Sequence, residues 1–298
     1  MLGDQGLPGY QSGLNKESVT IAEALIRSGY RAYMSGKWHV TTHIKPEGPK
    51  DNWPLQRGFE KFYGTIIGAG SFYDPHTLCR QNTFITPAND PQYKPETYYY
   101  TDAITDNAIQ FLDDHYQESE TDPFFMYVSY TAAHWPMHAL PEDIKKYEGE
   151  YDHGYDFIRT RRFERMKQLG ILDEDARMSP AAGNWAQAPH KEWEIKCMEV
   201  YAAMVDRMDQ GIGKLLQSLE TKGALENTLI LFLEDNGGCA EGFGRGENVN
   251  ENWLKAIKDR TPMAEDELQP TLWPPMKTRD GKPVQGGPSV MPGPADTY

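Results

Sequence analysis

Three runs of apolar residues have the length of β-strands, and each is followed by a polar loop that contains glycine or proline. They cover residues 31–35, 124–130 and 228–233. The second and third runs are continuous rather than alternating, which is typical of strands that are buried on both faces. The pattern therefore predicts three strands inside a covered sheet.

A helical pattern precedes each of these runs. Thr20 and Glu23 have the spacing of a capping box, and Gly29 can end the helix that they begin. Apolar residues keep helical spacing over residues 104–112, and again over residues 195–219 in a long amphipathic helix. Helix followed by buried strand, three times over, predicts an α/β fold with a mostly parallel sheet covered by helices on both faces.

Two other segments lack this pattern. The charged stretch of residues 151–172 predicts a solvated helix with its lead-in. Beyond about residue 240 the apolar periodicity stops, and eight prolines interrupt the chain between Pro262 and Pro294. Residues 1–248 are therefore assigned to one α/β domain, and residues 249–298 to a Pro-rich loop or insertion of the same domain.

Composition narrows the functional classes. Of 298 residues, 30 are Lys or Arg and 44 are Asp or Glu, so the formal charge is 30 − 44 = −14. This acidic balance argues against nucleic acid or an anionic membrane surface as the main partner. The longest apolar runs, about seven residues, are too short to span a bilayer. The cysteines, Cys79, Cys197 and Cys239, form neither a disulfide framework nor a CxxC metal motif.

The polar residues that could carry chemistry all follow predicted strands. Lys37 and His39 follow the first strand, His134 follows the second, and Asp235 and Asn236 follow the third. In open parallel sheets, ligands bind beyond the carboxyl ends of the strands. We therefore expect these five side chains at one edge of the sheet, in a single cleft.

The residue types indicate one kind of reaction. Oxygens of Asp235 and Asn236 suit a hard cation such as Ca²⁺ or Mg²⁺, and a lysine supplies a point charge for phosphate or sulfate. Histidines transfer protons near neutral pH. Each feature alone has an ordinary structural explanation, such as a hairpin turn over residues 235–238 or a packed histidine. Taken together, they predict metal-assisted hydrolysis of an anionic ester.

Three segments also resemble a known family. Residues 29–39 (GYRAYMSGKWH) resemble the second signature of the formylglycine-dependent sulfatases. Residues 124–136 look like their central histidine segment, and residues 227–238 look like the strand that delivers two metal ligands. The likeness extends over most of residues 6–248 in the expected order, and it implies the alkaline-phosphatase-like α/β fold.

The resemblance assigns a role to each candidate residue. Lys37 would contact the sulfate and the aldehyde-hydrate nucleophile, and His39 would be the base that helps to expel sulfate from the covalent intermediate. His134 would bind sulfate and help to protonate the leaving alcohol or phenol. Asp235 and Asn236 would ligate Ca²⁺, with Mg²⁺ the less favoured ion.

The sequence departs from the family pattern at the nucleophile. No cysteine or serine lies in a Cys-x-Pro-Ser-Arg-type motif, and the first family strand with its aspartate pair has no counterpart. We therefore expect formylglycine upstream of Met1, installed by the formylglycine-generating enzyme as a partner. Residues 1–248 would then be the central part of an incomplete catalytic domain, inactive by itself.

The sequence thus predicts an arylsulfatase-type sulfuric ester hydrolase that cleaves a small-molecule or glycan sulfate monoester. Two alternatives stay open: a phosphoester or phosphonate hydrolase of the same superfamily, and a non-catalytic remnant that binds sulfated ligands or a partner. The compartment stays unknown, because a signal peptide would lie upstream of the residues present; a periplasmic or secreted location is favoured over a cytoplasmic one.

Overall fold

A computed structural model describes residues 13–181, 183–234, 260–272 and 277–284. The strands are β1 Arg31–Gly36, β2 Lys61–Thr65, β3 Leu78–Arg80, β4 Thr83–Phe84 and β5 Phe124–Ser129. The helices are α1 Ile21–Ile26, α2 Tyr100–Glu118, α3 Pro141–Lys145, α4 Tyr155–Gln168 and α5 Lys191–Thr221. Short 3₁₀ turns lie at Pro54–Arg57, Trp185–Gln187 and Leu225–Asn227.

The chain divides into two compact units. The first comprises Met1–His134, Arg207–Ile230 and Lys258–Val284, and it contains the whole sheet. The second comprises Trp135–Asp206, Leu231–Ile257 and Gln285–Tyr298, and it contains α3 and α4. Three of the five candidate residues, Lys37, His39 and His134, belong to the first unit.

The sheet has five strands in the order β4-β3-β2-β1-β5. Strand β1 pairs in parallel with both β2 and β5, whereas β3 and β4 are added in antiparallel fashion beside β2. The predicted α/β class is confirmed. The sheet is mixed as a whole, because its three longest strands are parallel and its two shortest strands form an antiparallel extension.

Helices cover both faces of β1, as the sequence predicts. Ala32 and Met34 face the cluster that includes Ala22 of α1. On the other face, the Tyr33 hydroxyl lies 2.9 Å from His115 Nδ1, and Ser35 Oγ donates to the Ile104 carbonyl of α2 at 2.7 Å. Successive side chains of a strand point to opposite faces, so a continuous apolar strand serves two helical layers at once.

Two helical predictions are confirmed in detail. In α1, Thr20 accepts from the Glu23 N–H, and the Glu23 carboxylate accepts from the Thr20 N–H, which completes the capping box. The predicted solvated helix corresponds to α4, which buries none of its residues. Among the helices of the described ranges, none is both long enough and apolar enough to cross a membrane.

The expected burial of β5 on both faces is wrong. Its residues are mostly half-buried, and Tyr127 is 45% exposed. The reason is its position, because β5 is the last strand on its side of the described sheet. An edge strand lacks one neighbour, so apolar side chains that would suit a central strand remain partly in contact with solvent.

The third predicted strand is also wrong. Residues 228–234 have no strand assignment, and Leu229, Leu231 and Leu233 are 85%, 75% and 73% exposed. An apolar run becomes a strand only where another strand accepts its backbone hydrogen bonds. No strand of the described residues pairs with this segment, so its apolar content alone does not place it in the sheet.

Two glycines of α5 provide a matched test of packing. A Cβ at Gly211 would lie 2.4 Å from Thr105 Oγ1 and 2.9 Å from the Tyr130 hydroxyl, whereas a Cβ at Gly213 would meet nothing within 4 Å. We expect Gly211→Ala to lower the free energy of unfolding by about 1–2 kcal/mol through overpacking. Gly213→Ala should raise it by about 0.5–1 kcal/mol, because alanine favours the helix.

Urea denaturation of the two variants and the parent chain measures both effects. Because the substitutions are chemically identical and two residues apart, a rise in stability for both variants would show that α5 does not approach α2 as the structure has it.

Candidate active site

The carboxyl ends of β1 and β5 lie side by side. The strands run in parallel with Gly36 opposite Ser129, and the Lys37 N–H donates to the Ser129 carbonyl at 2.9 Å. Ser129 Oγ donates in turn to the Lys37 carbonyl at 2.8 Å. The backbone of Lys37 is therefore fixed from both sides by the last residue of β5.

Glycine is required just before Lys37. Gly36 has φ 123°, and a Cβ there would lie 2.1 Å from the Ser129 carbonyl oxygen. Only glycine permits this backbone conformation together with such a close approach of two strands. The backbone thus explains why a glycine precedes this lysine. Gly36 allows β1 to approach β5 closely, and Lys37 follows directly at the edge of the sheet.

The next two residues, Trp38 and His39, are hydrogen-bonded to the end of β2. The Trp38 N–H donates to the Thr65 carbonyl at 2.9 Å, and the His39 N–H donates to the Ile66 carbonyl at 3.0 Å. Trp38 is buried, and its indole N–H donates to the Asn52 carbonyl at 2.8 Å. Trp38 therefore anchors this segment in the core between Lys37 and His39, which are both half-buried.

His39 has an unusual backbone conformation. Its φ of 55° lies in the left-handed region that is uncommon for a residue with a side chain. Gly68 lies directly against its ring, because a Cβ at Gly68 would be 2.2 Å from His39 Nδ1 and 2.4 Å from Cε1. The ring of His39 is thus packed against the loop that follows β2, and a strained backbone of this kind is common at functional sites.

His134 lies in the segment that follows β5. Its N–H donates to the Thr131 carbonyl at 2.7 Å, which closes a tight turn over residues 131–134, just after β5 ends at Ser129. Thr131 Oγ1 in that turn is buried and has no hydrogen-bond partner in the part of the chain that the structure describes. Buried hydroxyls without a partner are rare in native proteins, so this one is notable beside a candidate catalytic histidine.

The structure therefore brings three of the predicted site residues to one edge. Lys37 and His39 follow β1, and His134 follows its parallel neighbour β5. Asp235 and Asn236, the predicted calcium ligands, lie outside the described residues. Within the described ranges, no group of three or more His, Cys, Asp or Glu side chains could hold a metal ion.

Some residues at this edge were missed by the sequence patterns. Ser129 and Gly68 hold Lys37 and His39 through contacts between residues that are distant in sequence. Strand β2, which carries the Gly68 loop, was also not predicted. Its only signal is Phe62-Tyr63-Gly64 followed by closely spaced glycines, a pattern that marks close backbone approach.

A match to a family model identifies the family of the chain. The family model described as Sulfatase matches residues 3–280. The chain belongs to the sulfatase family. The sulfatase family belongs to the alkaline-phosphatase superfamily, and in this chain the Lys-x-His segment follows β1 and the Ala-His-Trp-Pro segment follows β5.

Several curated sulfatases are similar to this chain. An uncharacterized sulfatase of Schizosaccharomyces pombe is 34% identical over 80% of this chain and 44% of its own length. An arylsulfatase of Klebsiella aerogenes is 32% identical over 83% of this chain and 53% of its own length. Among solved structures, a protein in complex with its substrate D-glucosamine-2-N,6-O-disulfate has 22% identity and a TM-score of 0.46, covering 72% of this chain and 49% of that one. The chain thus spans about half the length of the curated relatives that it matches.

Proposed function

We propose that this sulfatase chain supplies the sulfate-binding and proton-transferring side chains of a sulfuric ester hydrolase. The observation that supports the proposal is the placement of Lys37 and His134 after two directly paired parallel strands, with the Lys37 backbone held by Ser129. A cation and an imidazole that emerge from adjacent strand ends suit one small tetrahedral anion.

Each residue has a role that its chemistry permits. Lys37 binds the negatively charged sulfate oxygens. His39 acts as the base that helps to expel sulfate from the covalent intermediate. His134 binds the sulfate and protonates the departing oxygen, since imidazoles exchange protons near neutral pH. The nucleophile is the formylglycine that the family resemblance implies. The same resemblance implies the formylglycine-generating enzyme as the partner that installs it. A sulfated substrate and a periplasmic or secreted location follow from the same resemblance.

Binding of a sulfate ester tests the proposal without requiring turnover. Titration calorimetry with 4-nitrophenyl sulfate should detect binding that Lys37→Ala weakens about 10- to 100-fold, because hydrogen bonds to charged groups contribute about 1.5–3 kcal/mol. The aryl group is chosen because the Klebsiella aerogenes relative is an arylsulfatase.

Two comparisons make the titration decisive. Lys45→Ala removes an exposed lysine from the segment after His39 and should leave the affinity unchanged. 4-Nitrophenyl phosphate should bind more weakly than the sulfate. If the phosphate binds more tightly, the phosphoester alternative takes precedence, and an unchanged affinity in Lys37→Ala would remove this lysine from the anion site.

Calcium binding is proposed from the donor chemistry of the sequence alone. When bound, the ion would polarise the sulfate oxygens, and Asp235 and Asn236 would provide a charged and a neutral oxygen ligand. Asp235→Ala should therefore weaken Ca²⁺ binding more than Asn236→Ala does, as measured by calcium titration. Equal affinities in Asp235→Ala and the parent chain would take Asp235 off the ligand set.

A further inference from the structure

The loop of residues 66–77, between β2 and β3, leaves the sheet at the same edge as Lys37 and His39. Its two ends are joined, because the Ile66 N–H donates to the Thr77 carbonyl at 3.2 Å and the Ile67 N–H donates to Thr77 Oγ1 at 3.0 Å. Most of its residues are buried. A loop with closed ends that packs on its own side chains is a rigid unit, of a kind that often has a function.

One side of this loop forms the surface on which His39 lies. The Ile66 carbonyl accepts the His39 N–H, and the three atoms nearest to a Cβ at Gly68 all belong to the His39 ring. The φ of Gly68 lies outside the left-handed region, so its backbone would accept alanine. Glycine is therefore needed at this position because of the imidazole, and the location of Gly68 determines where the imidazole can be.

The opposite side of the loop is held by the C-terminal segment, which is described over residues 260–272 and 277–284. The buried Asp74 carboxylate accepts from Arg279 Nη2 at 2.8 Å and Nε at 3.2 Å, and from Gln269 Nε2 at 2.9 Å. His76 Nδ1 lies 2.5 Å from the Gln269 carbonyl. The side chains of Arg279 and Asp74 are only 11% and 3% exposed, so this ion pair is shielded from solvent.

Arg279 also organises the segment from which it extends. Its Nη1 donates to the Ala264 carbonyl at 2.6 Å and to the Glu267 carbonyl at 2.8 Å. The Met263 N–H donates to the Arg279 carbonyl at 2.9 Å, which holds residues 263 and 279 side by side. One guanidinium thus joins two loops, using a planar fork of donors that lysine does not have.

The interior of loop 66–77 connects the two sides firmly. Ser71 Oγ accepts from the N–H groups of Tyr73 and Asp74, both at 3.1 Å. The Phe72 carbonyl accepts the Tyr100 N–H of α2 at 2.7 Å. Close-packed and hydrogen-bonded segments transmit small displacements instead of absorbing them.

We propose that the Asp74–Arg279 ion pair positions the imidazole of His39 through loop 66–77. Asp74 and Arg279 are positioning residues, since they act on His39 through Gly68 and contact no reacting group. The value of this positioning for catalysis rests on the function proposed above for His39. The C-terminal segment would then control the orientation of a base to which it is not adjacent in sequence.

Histidine NMR spectroscopy of the full 298-residue chain tests this directly. With ¹⁵N-labelled histidine, the ring signals of His39 are assigned by their loss in His39→Asn. We expect Gly68→Ala to move these signals through direct contact, and Arg279→Gln to move them as well, through the loop. Arg279→Lys should cause a similar change, because it keeps the charge and loses the fork.

The matched control is Lys282→Gln, which removes an exposed ion pair with Asp280 from the same segment and should leave the His39 signals in place. If Arg279→Gln does not fold, Gln269→Ala removes one of the three hydrogen bonds to Asp74 and is expected to move the His39 signals less. The proposal is overturned if Arg279→Gln or Gln269→Ala lowers the melting temperature while the His39 signals keep their positions.

The experiment uses no substrate, so it separates this proposal from the proposed function. Shifted His39 signals in a chain that does not bind 4-nitrophenyl sulfate would support the positioning and refute the function. Unshifted His39 signals in a chain that does bind 4-nitrophenyl sulfate would refute the positioning and support the function.

Discussion

The 298-residue chain, purified alone, is expected to release no measurable sulfate from an aryl sulfate. None of its cysteines or serines lies in a formylglycine motif, and covalent catalysis of this type needs a positioned nucleophile. Proton transfer by His39 and His134 would contribute only about 10²- to 10⁴-fold. That factor is far too small for a sulfate ester, whose uncatalysed hydrolysis is very slow.

A sulfate-release assay measures this expectation. The chain is assayed after expression with and without the formylglycine-generating enzyme. Lys37→Ala is included in both preparations as the control for contaminating sulfatases. Metal-dependent turnover by the 298-residue chain that Lys37→Ala abolishes would show that another group is the nucleophile.

Local signals were the part of the fold that the sequence could predict. The capping box of α1 depends on Thr20 and Glu23 alone, and it is present in the structure. The strands at residues 31–36 and 124–129 also agree with their apolar runs. Residues 228–233 have an equally apolar run and form no strand, because strand formation needs a partner and the run contains no information about one.

The edge shared by Lys37 and His134 could be anticipated for a general reason. Parallel strands have their carboxyl ends at the same edge, so residues that follow two such strands are brought near one another without further information. The support of His39 could not be anticipated in this way. It depends on Gly68, which is 29 positions away from His39 in the chain and meets its ring only through a tertiary contact. The loop that carries Gly68 is held in turn at Asp74 by Arg279, which is 240 positions away from His39.

The other buried histidines show the same limit. His115 lies in α2 with Nε2 3.0 Å from the Asp122 carbonyl and Nδ1 2.9 Å from the Tyr33 hydroxyl. A ring nitrogen facing a carbonyl must be the donor, so Nδ1 of the neutral ring accepts from Tyr33. Burial lowers the pKa of His115. This histidine is a structural element between helix and sheet.

The second large effect is a loss of folding stability at acidic pH. Burial lowers the pKa of His138 from 6.5 to about 3, and its side chain is fully buried. Below pH 6.5 the unfolded chain binds a proton at His138, whereas the folded chain does not bind it until the pH is near 3. The free energy of unfolding therefore has its full value above pH 6.5 and decreases as the pH falls towards 3. At roughly 1.4 kcal/mol per pH unit, the free energy of unfolding should fall by about 2–3 kcal/mol at pH 4.5 and by about 4 kcal/mol near pH 3.

His138→Gln should remove this dependence, because glutamine has no proton to bind in this range. Urea denaturation at several pH values between 7.5 and 4.5 gives the free energy of unfolding of the variant and the parent chain. The variant is expected to be the less stable at pH 7.5, since a buried ring is replaced, and to lose its disadvantage as the pH falls. His190→Gln, which changes an exposed histidine of the same unit, controls for the change of residue type.

A difference between His138→Gln and the parent chain that stays constant over the whole pH range would mean that folded His138 takes up its proton as readily as the unfolded chain does. Acid lability would then have to come from His115 or from the carboxylates whose pKa values are lowered by ion pairs, such as Glu23 beside Arg57.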